Sequence, residues 1–170
     1  NDVEYEALGQ SFSNRGRRSE EQIELLRLLW TQESVNFNGR YHKVTNAGIN
    51  PLPVQRPIPI WLGGGEDRVI QRIGKMADGW FPQFQPDSAG QEKIGVMREA
   101  ASKSGRDPKS IGIEGRVSYA TDKQSDWEKI GAAWDEVGAT HFSINTMKAG
   151  LKGPDQHIEA IKRFKEAVSG

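Results

Sequence analysis

The sequence predicts an α/β fold built on a mainly parallel sheet, and three observations predict it. Short apolar runs at residues 58–62, 77–82, 110–120 and 140–145 alternate with segments of helical period at 66–77, 87–104, 126–137 and 154–168. That alternation is the pattern of βαβ crossovers. The chain of 170 residues, 35% hydrophobic and with 19 glycines, is long enough to bury one packed core. A complete (β/α)8 barrel takes about 250 residues, whereas four strand–helix units behind one strandless helix fit half of one. The expectation is therefore a single domain over residues 1–170 with half-barrel architecture, carrying a hairpin and loop at 33–57.

Each element has its own signal. Residues 1–13 read as a loop or short helical turn. Ser19 with Gln22 three residues on makes a capping-box signature, and Glu20 and Glu21 suit the dipole of a first turn. Ile23, Leu25, Leu26, Leu29 and Trp30 form a broad apolar face, so the spacing predicts a helix over 19–32. Asn38-Gly39 within 35–44 predicts a tight hairpin whose two turn positions need positive φ. Residues 45–57, with Pro51, Pro53 and Pro57, read as an extended loop. The run Ile58-Pro59-Ile60-Trp61-Leu62 ends at Gly63-Gly64-Gly65, and the helix after it carries Val69, Ile70, Ile73 and Met76 on one side. Residues 77–82 read as a very short buried strand. The helix 87–104 stops at Gly105, with Pro108 beyond it. Ile111, Ile113, Gly115, Val117 and Tyr119 alternate as a strand, the helix 126–137 stops at Gly138, and 140–145 is a fourth strand. Ile158, Ile161, Phe164 and Val168 give the last helix its apolar side.

Composition excludes several classes of function. The chain has 23 basic and 23 acidic side chains, and each half is balanced by itself. It therefore lacks the one-sided field that nucleic acid or an anionic membrane would favour. No run approaches the length of a membrane-spanning helix, and the acidic, polar start is not a signal peptide. The absence of cysteine excludes disulfides, thiolate metal sites and a cysteine nucleophile. It fits a cytoplasmic chain acting on small molecules. His42, His141 and His157 show no metal-ligand spacing, and no G-x-S-x-G elbow occurs.

Two local features could carry chemistry. Gly63-Gly64-Gly65-Glu66-Asp67-Arg68 joins a strand to a helix, where backbone N–H groups and the helix dipole favour an anion. Arg68 takes the third glycine position of G-x-G-x-x-G, and no Gly-Lys-Ser/Thr follows, so this is neither a dinucleotide fingerprint nor a Walker loop. It is either a phosphate cradle or a tight strand-to-helix turn. Arg15-Gly16-Arg17-Arg18 places cations ahead of the first helix, against its dipole. They either bind an anion or pair locally, and the Arg17–Glu21 spacing favours the pair. His141 could open a strand into a site, His157 belongs to its helix, and Tyr41 and His42 read as hairpin surface. Trp61, Trp80 and Trp134 read as core, Trp80 being the partial exception because its strand ends beside a loop.

Three segments together resemble the luciferase-like monooxygenase superfamily, and within it the deazaflavin-dependent oxidoreductases. They are Glu4-Tyr5-Glu6-Ala7-Leu8-Gly9 through Phe12 to Arg15-Gly16-Arg17-Arg18 and Glu21, then Pro59-Ile60-Trp61-Leu62-Gly63-Gly64-Gly65 with Ala77-Asp78-Gly79-Trp80, and Gly138-Ala139-Thr140-His141-Phe142-Ser143. The resemblance covers essentially the whole chain. It implies a TIM barrel of which this chain is the C-terminal half, roughly strands five to eight, with the hairpin and loop as an insertion. It also implies an oxidoreductase whose cofactor phosphate rests on Gly63, Gly64 and Gly65, with Glu66 nearby; Arg68, which could add charge, and Trp80, whose strand ends beside a loop, complete the candidate cofactor site. Coenzyme F420 is the favoured cofactor and FMN the alternative, serving hydride transfer or monooxygenation. Much of the ring pocket and the proton-transfer residues would belong to the first four strands. The implied assembly is a homo-oligomer or a pairing with the missing half. The alternative is a non-catalytic barrel fragment or interaction module that binds no cofactor.

Overall fold

The computed structural model describes residues 1–168, and contacts group the chain into two compact units, Asn1–Ile60 and Trp61–Gly170. In the first unit, α1 (Asp2–Ala7) is held by a capping box in which Asn1 accepts from the Glu4 N–H. The second helix, α2, spans Arg15–Thr31, starting a turn before the predicted Ser19. Ser19 does not cap it. Its hydroxyl donates back to the Gly16 carbonyl at 2.9 Å, inside the helix. The buried positions of α2 are Arg18, Ile23 and Leu25.

A hairpin follows, β1 (Val35–Asn38) against β2 (Lys43–Ala47), antiparallel with a bulge between Val35 and Phe37. Its connection is not the two-residue turn that Asn38-Gly39 predicts, since neither residue has positive φ. Residues 39–42 open out instead, closed by the Gly39 N–H donating to the His42 carbonyl at 2.9 Å. The cause is Glu21. Its carboxylate accepts the N–H groups of Arg40, Tyr41 and His42 at 2.7, 2.8 and 2.6 Å, and His42 Nδ1 at 2.8 Å. A Cβ on Gly39 would lie 2.6 Å from Glu21 Oε1, so glycine serves close approach here rather than a left-handed turn. Glu21 is thereby committed to the hairpin and not to Arg17. His42 becomes part of this clasp rather than open surface.

The second unit is a four-stranded parallel sheet in the order β3-β4-β5-β6, from β3 (Trp61–Gly63), β4 (Gly79–Phe81), β5 (Gly112–Ser118) and β6 (His141–Asn145). Helices α3 (Asp67–Met76), α4 (Ser88–Lys103), α5 (Trp127–Glu136) and α6 (Pro154–Val168) intervene or follow. Sequential parallel pairing with a helix between strands is the predicted βαβ arrangement. Gly105 and Gly138, both with positive φ, end α4 and α5 as expected.

Strand alternation divides the side chains between the two sheet faces. One set packs on helices: Trp80 and Ile113 join the helix residues Ile70, Ile73, Ile94, Met97 and Trp134 in the main core, and Val117 meets Trp127 and Phe164 in a second cluster. The other set includes Trp61, whose ring lies over Gly79 and Gly112 and meets the His141 ring edge-on at 4.8 Å. Trp61, Gly79, Gly112 and His141 each begin their strand. His141 thus closes the N-terminal end of the sheet, opposite the end where sites form on this architecture.

Candidate functional site

At the C-terminal end of β3 the chain turns through Gly64 and Gly65 into α3. Gly64 adopts φ +133°, a conformation reserved for glycine, and a Cβ there would sit 2.8 Å from Val69 Cγ1. The turn is tied from behind at two points. The Trp80 indole N–H donates to the Gly64 carbonyl at 2.9 Å, and the Lys93 ammonium donates to the Gly65 carbonyl at 2.7 Å.

Those two bonds set the direction of the amides. In a trans peptide the C=O and the following N–H point oppositely. Pinning the Gly64 and Gly65 carbonyls inward therefore turns the N–H groups of Gly65 and Glu66 outward. The first two amides of α3, on Asp67 and Arg68, add to them, because the helix's own bonds begin with Val69 and Ile70 donating to the Glu66 carbonyl at 2.8 and 2.9 Å. Glu66 is the N-cap but makes no side-chain cap bond. None of these four N–H groups has a backbone partner among the described residues. Around Gly63 and Gly65 there is room: a Cβ on either would meet nothing closer than 3.9 Å.

The residues fit a phosphate. The concave row of amides at a helix N-terminus supplies donors and positive potential, and the Arg68 guanidinium and Lys93 ammonium add charge. Glu66 and Asp67 are exposed carboxylates at the same turn and oppose an anion in part. Among the predicted site residues, Gly63, Gly64, Gly65, Glu66 and Arg68 come together at this turn. Trp80 is different. It is fully buried and reaches the turn only through its indole N–H, so it shapes the cradle from the core and faces no ligand. Lys93 was missed, because 28 residues separate it from Gly65 and no motif marks it.

The same end of the sheet carries further polar groups. Asp122 accepts the Ser118 N–H at 2.7 Å, and Thr146 Oγ1 bonds His157 Nδ1 at 2.7 Å. No cluster of metal-ligating side chains is present among the described residues, and none of the described helices is long and apolar enough to cross a membrane.

A four-stranded parallel sheet with helices between its strands, and a turn of unpaired amides at the strands' C-terminal end, define an α/β domain. More particularly, the family model for luciferase-like monooxygenases matches residues 1–168, and the chain belongs to that oxidoreductase family. An F420-dependent glucose-6-phosphate dehydrogenase of Mycolicibacterium gilvum is 33% identical over 124 residues, covering 71% of this chain and 37% of that protein. The corresponding enzyme of Nocardia farcinica is 32% identical over 192 residues, covering 96% and 55%. The chain thus spans between about a third and just over half of these relatives. Among solved structures, an F420-dependent secondary alcohol dehydrogenase in complex with an F420-acetone adduct shares the fold with a TM-score of 0.57 at 18% identity, over 92% of this chain and 54% of that one. EDTA monooxygenase from Chelativorans sp. BNC1 does so with a TM-score of 0.59 at 18% identity, over 99% and 48%.

Proposed function

We propose that this chain supplies the C-terminal half of a luciferase-like barrel, strands five to eight, and holds the phosphate of coenzyme F420, with FMN as the alternative cofactor for the same site. One observation carries the reading: the two carbonyls of the glycine turn are tied back to Trp80 and Lys93, leaving four amides free beside open space. F420-dependent relatives at 32–33% identity favour the deazaflavin. The amides of Gly65, Glu66, Asp67 and Arg68 would hold the phosphate oxygens. Arg68 and Lys93 would offset the phosphate's charge, and Gly63 would let it approach the backbone. Bound there, F420 supplies two-electron hydride chemistry to a small-molecule substrate, and FMN would supply oxygen chemistry as well.

The test is a parallel fluorescence titration of the full chain and its Gly65→Val variant with F420 and with FMN. A Cβ at Gly65 has room within the protein, so the variant keeps its fold while its methyl groups occupy the phosphate position. The expected result is saturable F420 binding that weakens at least about tenfold in the variant. Saturable binding of FMN alone reassigns the cofactor. Binding of neither removes the reading and leaves a barrel segment that contributes no cofactor contact of its own.

A further inference from the structure

The arginine run ahead of the first long helix is not absorbed by the glycine turn, and the structure gives it a second role. Arg18 is 9% exposed, the one charged side chain that is buried among the described residues. Burying a guanidinium is costly unless an anion accompanies it. Yet no described carboxylate pairs with Arg18. One of its donors goes to Gln10 Oε1, a neutral acceptor, and its flat face lies 5.3 Å from the centre of the Tyr5 ring. A cation–π contact and a neutral hydrogen bond compensate a buried charge only in part. The remaining donors have no acceptor among the described residues.

Arg18 lines a cavity of about 640 Å³ within the first unit, together with Tyr5, Gln10, Asn14, Tyr41 and His42. That volume lies within the usual range of small-molecule sites. Asn14 supplies an independent observation. It occupies the N-cap of α2, where asparagine ordinarily accepts a hydrogen bond from the first turn, but its side chain makes none. Instead its Oδ1 is buried without a donor, in a residue that lines the same cavity. A buried cation lacking an anion thus lines the cavity beside a residue whose buried acceptor lacks a donor. Glu4, also on the cavity wall, is engaged with the N-cap of α1.

We infer that this cavity is a binding site for a small hydroxycarboxylic acid, its carboxylate on the Arg18 guanidinium and its hydroxyl donating to Asn14 Oδ1, which a turn of the Asn14 side chain brings from its buried position to the cavity wall. The planar fork of arginine matches a carboxylate, and the Tyr5 and Tyr41 rings offer walls for an apolar body. The site does not depend on the glycine turn, and its test separates the two.

The probes are mandelate and phenylacetate, which differ only in the hydroxyl, titrated into the full chain while the arginine Nε–H resonances are followed by NMR. The expected result is a saturable shift of the Arg18 Nε–H with mandelate and several-fold weaker binding of phenylacetate. Arg18→Gln should weaken mandelate at least about tenfold, and Gly65→Val should leave it unchanged. Asn14→Ala removes no cap bond, so it should fold normally and bring the two acids to equal affinity. That variant keeps the proposal testable if Arg18→Gln fails to fold. Absence of saturation with both acids, equal preference for mandelate in Asn14→Ala, or a response confined to Arg68 would overturn it.

Discussion

At the scale of single residues, the glycine turn shows that three adjacent glycines are not equivalent. Gly64 pays for its place in backbone conformation: an L-residue at φ +133° is strained, and its Cβ would press on Val69 at 2.8 Å. Gly64→Ala should therefore cost roughly 1–3 kcal/mol, which is a fall of several degrees in Tm for a chain of this length. Gly65→Ala, with 3.9 Å of clearance, should leave Tm unchanged in the same melting experiment. Equal losses at both positions would show that the turn is set by something other than Gly64. Lys93 makes a complementary case. Replacing it with Met removes the donor to the Gly65 carbonyl and one positive charge, so F420 binding should weaken about tenfold while the helix α4 around it persists. The glycines were legible in the sequence because a strand-to-helix glycine run has a known use. Lys93 was not, since only the fold brings an α4 side chain to the β3–α3 turn.

At the scale of elements, the clasp between α2 and the β1–β2 hairpin is the feature that local reasoning could not supply. Burial pushes the Glu21 carboxyl upward. The bond from His42 and the N–H groups of Tyr41, Arg40 and His42 outweigh that and hold it below the ordinary value of 4.5. A group whose pKa is lowered in the fold stabilises it fully above the unfolded value and loses that contribution as pH falls through the folded one. The clasp should thus be intact at neutral pH and release only below about 4.5. In an NMR acid titration, the amide protons of Arg40, Tyr41 and His42 should move together with a midpoint under the ordinary glutamate value. Glu21→Gln should abolish that transition and speed amide exchange at all three. Independent midpoints for the three amides would mean that Glu21 does not organise the loop. This long-range carboxylate also explains the misread hairpin, because Asn38-Gly39 specifies a tight turn only when nothing outside the loop competes for its amides. The start of α2 was misread for a similar reason. Ser19 and Gln22 match a capping box, but the helix already runs through Arg15–Arg18, and a motif cannot report that an earlier turn is helical. The helices and strands of the second unit were legible because each buries a periodic face, and period survives whatever the loops do.

At the scale of the whole molecule, the edges of the parallel sheet decide what can join it. β3 and β6 are the outer strands of the four described, and unpaired strand edges recruit partners. The helical layer is unfinished as well. Ile158 and Ile161 lie three residues apart on α6, on neighbouring positions of one face, and are 49% and 51% exposed. Both features fit the pairing with the missing half, and for this chain by itself they fit a pairing of two copies. A twofold rotation about the axis of a closed sheet keeps all strands parallel, so β6 of one copy can pair with β3 of another, and β3 with β6. Eight strands then close as in a (β/α)8 barrel, and the two isoleucines of each α6 pack beneath the neighbouring helix. The expected outcome in size-exclusion chromatography with light scattering is a species of about twice the 18.9 kDa chain mass. Ile158→Lys with Ile161→Lys should return it to monomer, and because both side chains are already half-exposed the monomer should keep its circular dichroism and most of its melting temperature. A wild-type chain that stays monomeric at high micromolar concentration would exclude self-closure. A dimer that survives both lysines would place its interface away from α6.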